Sequence, residues 1–528
     1  MRHKWGVLFL ALTLLLALSG CGRESDPAVT PLPKPVPAET ERLPPEPVDT
    51  EEAVNTPEPS LEPGTVPEPE EVPLPKHKIV IDPGHQNAAD LGKEPIGPGA
   101  AETKYRVTGG TYGKASGQYE YELNLIVSLL LRDELETRGY EVILTRSEHE
   151  VRFSNAERAA IANEAGADAF VRIHANGSED PTVQGALTIC MTPNNPYHAW
   201  LYDESRALSE CVLEGFLAET GAKGQPIWET DTMSGINWSQ VPVTILEMGY
   251  MSNAEEDLRM ATEAYQKSMA IGIANGIDAY FQKQENQTAQ LQAEMEAELD
   301  HCGGEWDVWA ETLQTGKAVH VTRNIVPGSS MISASLIKLF IMGAVFSRVA
   351  DGTLDAATVN PLLRPMIAIS DNSAANRLTV LLGNGDAAVG RRAVEDWAAA
   401  NGCTGVRFER LMLEENGLQN YVSAEACATL LRSIWAGECV SSEASAQMLE
   451  LLSAQEVNDR IPQGLPAGIR CAHKTGNLYG LCVADVGVVF APNGAFLLCA
   501  ICNHPANDAL ATATIANLAR LVYSALSG

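Results

Sequence analysis

A chain of 528 residues is too long for one small binding module and long enough for two to four domains. Its 37 Lys and Arg against 68 Asp and Glu give a net charge of −31, which would repel nucleic-acid phosphates and argues against nucleic acid as a partner. Hydrophobic residues at 45% with 20% charged are ordinary for globular cores, so the 30 prolines are the anomaly, and they are concentrated.

Residues 1–21 start with Met-Arg-His-Lys and continue in an apolar run from Trp5 to Leu18, too short for a comfortable membrane span, before small residues and Cys21. The Leu18-Ser19-Gly20-Cys21 segment resembles a bacterial lipobox, which implies export, a lipid on Cys21 and an extracytoplasmic location on the outer face of the cytoplasmic membrane. An uncleaved signal anchor or a plain secreted protein is the alternative. Residues 22–76 form the next segment: from 24 to 76 they hold 15 of the 30 prolines with 13 acidic and 3 basic residues and no aromatic side chain to seed a core. They are expected to be a disordered spacer, extended at about 3.1 Å per residue and able to reach on the order of 100 Å, a reach that would suit a cell-wall target.

The first folded unit is expected over 77–282. Lys78–Ile81 reads as a short buried strand ending in the turn Asp82-Pro83-Gly84-His85. Glu120 leads into the helical pattern Glu122–Gly139. Ala169–Ile173 is a strand ending at His174-Ala175-Asn176, and Val243–Leu246 is one ending at Glu247-Met248-Gly249. Two His and two Glu at the ends of elements suit a hydrolytic zinc site, which takes three protein ligands and leaves one position for water beside a carboxylate base. Each His has an ordinary alternative as a hydrogen-bonded buried ring. Gln86–Tyr119, polar and Gly-rich, reads as a loop over the substrate cleft or as a disordered insertion. Trp228, Trp238 and Tyr250 are candidates to line a groove, with core packing as the alternative.

In this order, Ile81-Asp82-Pro83-Gly84-His85, Glu120-x-x-x-Asn124, Leu144-Thr145-Arg146, Arg158 with Asn163, Ile173-His174-Ala175-Asn176 and Leu246–Asn253 resemble the zinc N-acetylmuramoyl-L-alanine amidases of the amidase-3 type. The resemblance implies that His85, Glu120 and His174 hold one zinc ion. It implies also that Glu247 activates the water that attacks the amide between muramic acid and L-alanine in peptidoglycan. Glu122 is an alternative ligand, and Asp82 and Asn176 are expected to shape the site or touch substrate.

The second unit is expected over 290–528. Gln290–His301 reads as a helix, Asp307–Leu313 and Ala318–Thr322 as strands joined by a turn, and Asp508–Leu526 as a terminal helix. Ser335 and Lys338 sit three apart at the start of an apolar helix, on one face, with the serine where backbone N–H groups are unpaired. Cys499 and Cys502 are a C-x-x-C match in a strand-like run, where an offset of three places them on opposite faces and argues against redox or metal chemistry.

Ser335-x-x-Lys338, Ser370-Asp371-Asn372 and Lys474-Thr475-Gly476, in that order, resemble class A β-lactamases and the related penicillin-binding serine hydrolases. The resemblance implies Ser335 as nucleophile, Lys338 as its base and Ser370 as proton carrier, with Asn372, Lys474 and Thr475 holding substrate and an oxyanion between the N–H groups of Ser335 and Asn477. One departure bears on turnover. The deacylating glutamate of class A enzymes stands in an E-x-x-L-N setting that Phe408–Tyr421 does not reproduce, and Glu414 or Glu415 is the candidate substitute. A slowly turning-over acyl-enzyme, acting on D-Ala-D-Ala ends or β-lactams, is therefore expected; a true β-lactamase or a non-catalytic binding domain are the alternatives. Together these readings imply an α/β amidase domain, its central sheet flanked by helices, followed by an α+β serine β-lactamase-like domain with an antiparallel sheet and a helical region.

Overall fold

The computed structural model describes residues 77–526 except 327 and 416; the export signal, Cys21 and the proline-rich spacer lie outside the described residues.

The first half runs β1 (Lys78–Pro83), β2 (Asp90–Pro95), β3 (Thr103–Val107), α1 (Glu120–Thr137), β4 (Glu141–Leu144), α2 (Asn155–Ala165), β5 (Ala169–Asn176), β6 (Leu187–Cys190), α3 (Tyr202–Thr220), β7 (Trp228–Glu229), α4 (Ser234–Asn237), β8 (Val243–Tyr250), α5 (Ala254–Met260) and α6 (Glu263–Asp300). Six strands form one sheet in the order β4-β1-β5-β8-β6-β7, parallel except where β6 meets β8. The central strands are apolar runs because both faces are covered. Ile79 and Ile81 point into the core made with α1, α3 and α6, while Val80 points into the core made with α2. Helices α3 and α6 cross on glycines: a Cβ at Gly276 would lie 2.4 Å from the Cys211 carbonyl oxygen and 2.5 Å from Val212 Cα.

The strand order places β1, β5 and β8 side by side, and His174 pairs in register with Glu247. Three neighbouring strands therefore present His85, His174 and Glu247 at or near their carboxyl ends, the usual crevice of a parallel α/β sheet.

The second half comprises β9 (Glu305–Thr312), β10 (Ala318–Arg323), β11 (Met331–Ile332), α7 (Ile337–Ala350), α8 (Ala356–Ala368), α9 (Asn372–Leu382), α10 (Ala387–Ala400), β12 (Tyr421–Val422), α11 (Ala424–Ala436), α12 (Ser442–Ser453), α13 (Ile461–Gly464), β13 (Arg470–Leu478), β14 (Cys482–Ala491), β15 (Gly494–Asn503) and α14 (Asp508–Leu526). Its antiparallel sheet has the order β10-β9-β15-β14-β13. One face packs on helices α7 to α12, the other on α14 and the end of α6. Cys499 lies in the first of these cores and Cys502 in the second, which is what their odd spacing in a strand requires. By length and composition α14 is apolar enough to cross a membrane; in the fold Ile515, Leu518 and Val522 pack it onto the sheet.

Two sequence expectations change. The segment 283–289, left between the two expected units, is part of the continuous 38-residue helix α6. Its first half buries Met269, Ile273 and Ile277 in the core of the first half of the chain, and its last turns bury Leu291, Met295 and Leu299, again four apart, in the core of the second half. Gln86–Tyr119 is not a bare loop either, since β2 and β3 pair within it as a hairpin.

Candidate active sites

In the first half, the turn after β1 is built to hold a histidine in an uncommon conformation. His85 has φ +60°, and each carbonyl of Pro83, Gly84 and His85 is gripped by a guanidinium. Arg158 donates to Pro83 and His85, at 2.9 and 3.0 Å, and Arg146 donates to Pro83 and Gly84, at 2.9 and 3.1 Å. Gly84 is obligatory, because a Cβ there would lie 2.3 Å from the His174 ring. Beneath the turn the fully buried Asp82 receives Arg158 at 2.5 Å, Arg172 at 2.8 Å and the Thr145 hydroxyl. Burial alone would raise its pKa, but the two guanidinium groups hold it far below the usual carboxylate range.

Glu120 is the first residue of α1, and its carboxylate lies between the two rings, 3.2 Å from His85 Nε2 and 3.2 Å from His174 Nδ1. The backbone N–H of Thr111 (2.8 Å) and of Ala175 (3.2 Å) and the Asn124 amide also donate to it. Glu122, the alternative ligand, turns instead to the N–H of Tyr119 and caps the helix. The carbonyl of Thr108 accepts at 2.8 Å from His85 Nδ1, so that nitrogen carries hydrogen and Nε2 faces inward. Ligand atoms of His85, Glu120 and His174 all lie within 4.8 Å of one another. Burial opposes ionisation of His174 and lowers its pKa to about 4, so the ring is neutral, as a ligand must be. His174 Nε2 and Glu247 Oε2 are both buried without a hydrogen-bond partner. Burial, then the charge of Glu120, raises the pKa of Glu247 to about 8. An orphaned ring nitrogen and an orphaned carboxylate oxygen beside three convergent ligands are what a divalent cation and its water would satisfy, and the donor set fits one.

The cavity over this group has a volume of about 540 Å³ and is walled by the β2–β3 hairpin and by the residues 232–235 at the start of α4. The segment 86–119 does lie over the cleft, as the sequence suggests, but as a hairpin; the 232–235 side of the wall was not anticipated. Trp228, Trp238 and Tyr250 do not line the cavity: Trp228 is exposed, Tyr250 is buried, and Trp238 Nε1 donates to Pro95 and so pins the hairpin. Asn176 turns its side chain to the N–H of Gly177.

The second half gathers its predicted residues as tightly. Ser335 stands in the 3₁₀ turn Ala334–Leu336 that leads into α7, and Lys338 is wholly buried one turn on. Lys338 Nζ donates to Ser335 Oγ at 3.1 Å, Ser370 Oγ at 3.0 Å, the Ser370 carbonyl at 2.6 Å and Asn372 Oδ1 at 2.8 Å. Ser370 adopts φ +59°, which turns both its hydroxyl and its carbonyl to the ammonium. From β13, Lys474 Nζ reaches Ser370 Oγ at 3.1 Å. Burial lowers the pKa of Lys338 to about 8, and burial followed by the charge of Lys338 lowers that of Lys474 to about 7. Gly476 lets β13 run against the serine turn, since a Cβ there would meet the Ser333 carbonyl at 3.1 Å.

Two features of this site were not anticipated. Buried Arg460 donates to Asn477 Oδ1 at 3.0 Å, and His473, next to Lys474, pairs with buried Asp485 at 2.9 Å. Glu414 and Glu415 are exposed, and Glu414 accepts from the N–H of Leu411.

A family model for N-acetylmuramoyl-L-alanine amidase matches residues 79–279, and one for the beta-lactamase enzyme family matches 289–360 and 355–526. Among similar proteins, the uncharacterized protein YqiI of Bacillus subtilis (strain 168) is 28% identical over 166 residues, 31% of this chain and 76% of its own. The N-acetylmuramoyl-L-alanine amidase LytC of the same organism is 25% identical over 211 residues, 40% of this chain. The chain spans only 36% of the length of LytC. Among solved structures, PBP-A is 24% identical, covers 46% of this chain and 95% of its own, with a TM-score of 0.40. Residues 79–279 thus match the N-acetylmuramoyl-L-alanine amidase family model and residues 289–526 that of the beta-lactamase enzyme family, two hydrolase families matched within one chain.

Proposed function

We propose that the protein is an exported, lipid-anchored cell-wall hydrolase that cuts the amide between N-acetylmuramic acid and L-alanine in peptidoglycan with one zinc ion. On this reading its second site forms an acyl-enzyme on D-Ala-D-Ala peptides or β-lactams. The observation that carries the first activity is the convergence of His85, Glu120 and His174 on one point beside the unpartnered oxygen of Glu247. Bound there, zinc would supply Lewis acidity to the amide carbonyl and to the attacking water. Glu247 Oε2 takes the proton from that water and returns it to the leaving nitrogen of L-alanine. Asp82, Arg146 and Arg158 act at a distance, holding the turn that aims His85.

In the second site, neutral Lys338 takes the Ser335 proton as the serine attacks, and Ser370 Oγ, in reach of both lysines, passes a proton to the leaving nitrogen. Lys474 and Thr475 receive the substrate carboxylate, Asn372 its amide, and the N–H groups of Ser335 and Asn477 the oxyanion. The exposure of Glu414 and Glu415 favours slow release of the acyl group over β-lactamase turnover.

Mass spectrometry of muropeptides after digestion of purified peptidoglycan with zinc tests the first activity. Free stem peptides are expected from the parent and from Ser335→Ala and not from Glu247→Gln; their release by Glu247→Gln would sink the assignment.

A further inference from the structure

We infer that the amidase cavity selects stem peptides bearing a free carboxylate, which it takes with Lys93 and Lys104 of the β2–β3 hairpin above the guanidinium of Arg172. The inference rests on the amidase reading and adds which peptides are preferred. It begins from a charge contrast. The chain carries 68 acidic and 37 basic residues, yet the permanently charged residues lining this cavity are Lys93, Lys104 and Arg172 against one carboxylate, Glu247. Three cations against a single carboxylate leave the cavity lining net positive.

Each cation is placed by a specific contact. Lys93 Nζ lies 3.9 Å from the centre of the Tyr105 ring across the hairpin, a cation–π contact that holds the ammonium over the cavity mouth. Lys104 Nζ donates to the Thr232 carbonyl at 2.6 Å, linking the hairpin to the opposite wall, and a three-donor ammonium keeps two further N–H bonds for a ligand. Below them Arg172 gives Nε to Asp82 at 2.8 Å and Nη2 to Asn155 at 2.7 Å. Its Nη1 runs under Gly235, where any Cβ would lie 1.8 Å from it, so only glycine at 235 leaves the guanidinium its place in the cavity floor. Asp82 is shared between Arg158 and Arg172, which leaves one positive charge of that buried trio unbalanced on the cavity side. A carboxylate a few ångströms from the scissile amide answers all three cations with charge-assisted bonds.

The test uses two N-acetylmuramoyl dipeptides whose second residue is D-glutamate with its γ-carboxyl blocked as the methylamide. One carries the free α-carboxylate and the other the matching carboxamide, so they differ by one charge and hardly in size. Binding to the full-length, zinc-loaded Glu247→Gln protein, which leaves the ligands intact, is expected to be about tenfold or more tighter for the acid, with a preference that falls as salt rises. In the same protein carrying also Lys93→Gln and Lys104→Gln the ratio falls to near one. A ratio near one before those substitutions, a preference for the acid that survives them, or no binding of either compound overturns the inference. Cleavage by the parent is scored separately: charge-selective binding with no release of peptide from either compound leaves the carboxylate site standing and removes the amidase activity.

Discussion

Asn376 holds both backbone polar groups of Met412: its Oδ1 accepts the Met412 N–H at 2.8 Å and its Nδ2 donates to the Met412 carbonyl at 3.1 Å. Asn376 lies one turn after Asn372 on α9, so the 411–415 segment is fastened beside the serine site with an apolar residue, buried against the core, at the point of attachment. The carboxylates of that segment stand outside, in solvent. A fluorescent penicillin is therefore expected to label the protein at Ser335 and to stay attached for many minutes in a chase with unlabelled drug. Glu414→Gln and Glu415→Gln should leave the lifetime of the label unchanged. Rapid loss of label, slowed by either substitution, would restore a β-lactamase.

The two buried lysines predict a pH profile. With its pKa lowered to about 8, Lys338 is neutral in about a tenth of molecules at pH 7 and about nine tenths at pH 9, so the first-order acylation rate at saturating β-lactam should rise about tenfold over that range. Lys474, lowered to about 7, has the opposite requirement, because it must be cationic to receive a carboxylate. The second-order labelling constant is thus expected to be bell-shaped, with its maximum between about pH 7 and 8. A flat stopped-flow profile from pH 6 to 9 would exclude Lys338 as the base.

The two sites share no ligand, which makes metal removal a clean separation. Chelation should abolish release of stem peptides and leave penicillin labelling intact, and added zinc should restore the former. Glu120→Gln keeps the shape of the side chain but removes the charge between the rings, and is expected to lower bound zinc, measured by elemental analysis, at least tenfold.

The α3–α6 crossing predicts a cost that is unrelated to chemistry. Gly276→Val forces side-chain atoms against the Cys211 carbonyl and Val212 Cα, and is expected to destabilise the first half by roughly 1–3 kcal/mol, read as a lower midpoint in urea. Penicillin labelling should be unaffected.

Most of both sites was legible in the sequence because their residues sit at the ends of apolar runs or in short local motifs. The buried pattern of β1, β5 and β8 announces the strands, and the residues after them are chemical; Ser335 and Lys338 share a helical face whatever surrounds them. What was hidden depends on long-range partners. Lys93, Lys104 and Arg172 meet only when the hairpin folds back over the sheet and Gly235 closes on the guanidinium, and nothing local to Asp90–Val107, where charge and turn residues interrupt the alternation, marks a hairpin strongly. Arg460 meets Asn477 across 17 positions by the same kind of fold-level encounter. The stretch 283–289 was missed for a different reason: polar all round, it has no hydrophobic period, and its helicity is dictated by the anchored turns on either side.

That last stretch has a mechanical consequence. A 38-residue helix rises about 57 Å and winds about 100° per residue, so it fixes angle as well as distance. One residue inserted between 283 and 289 would swing everything beyond it by about 100° around the axis, whereas seven would return it to within about 20° of its original heading. Variation in the length of this joint should therefore be tolerated only in steps of whole turns, as on a screw thread.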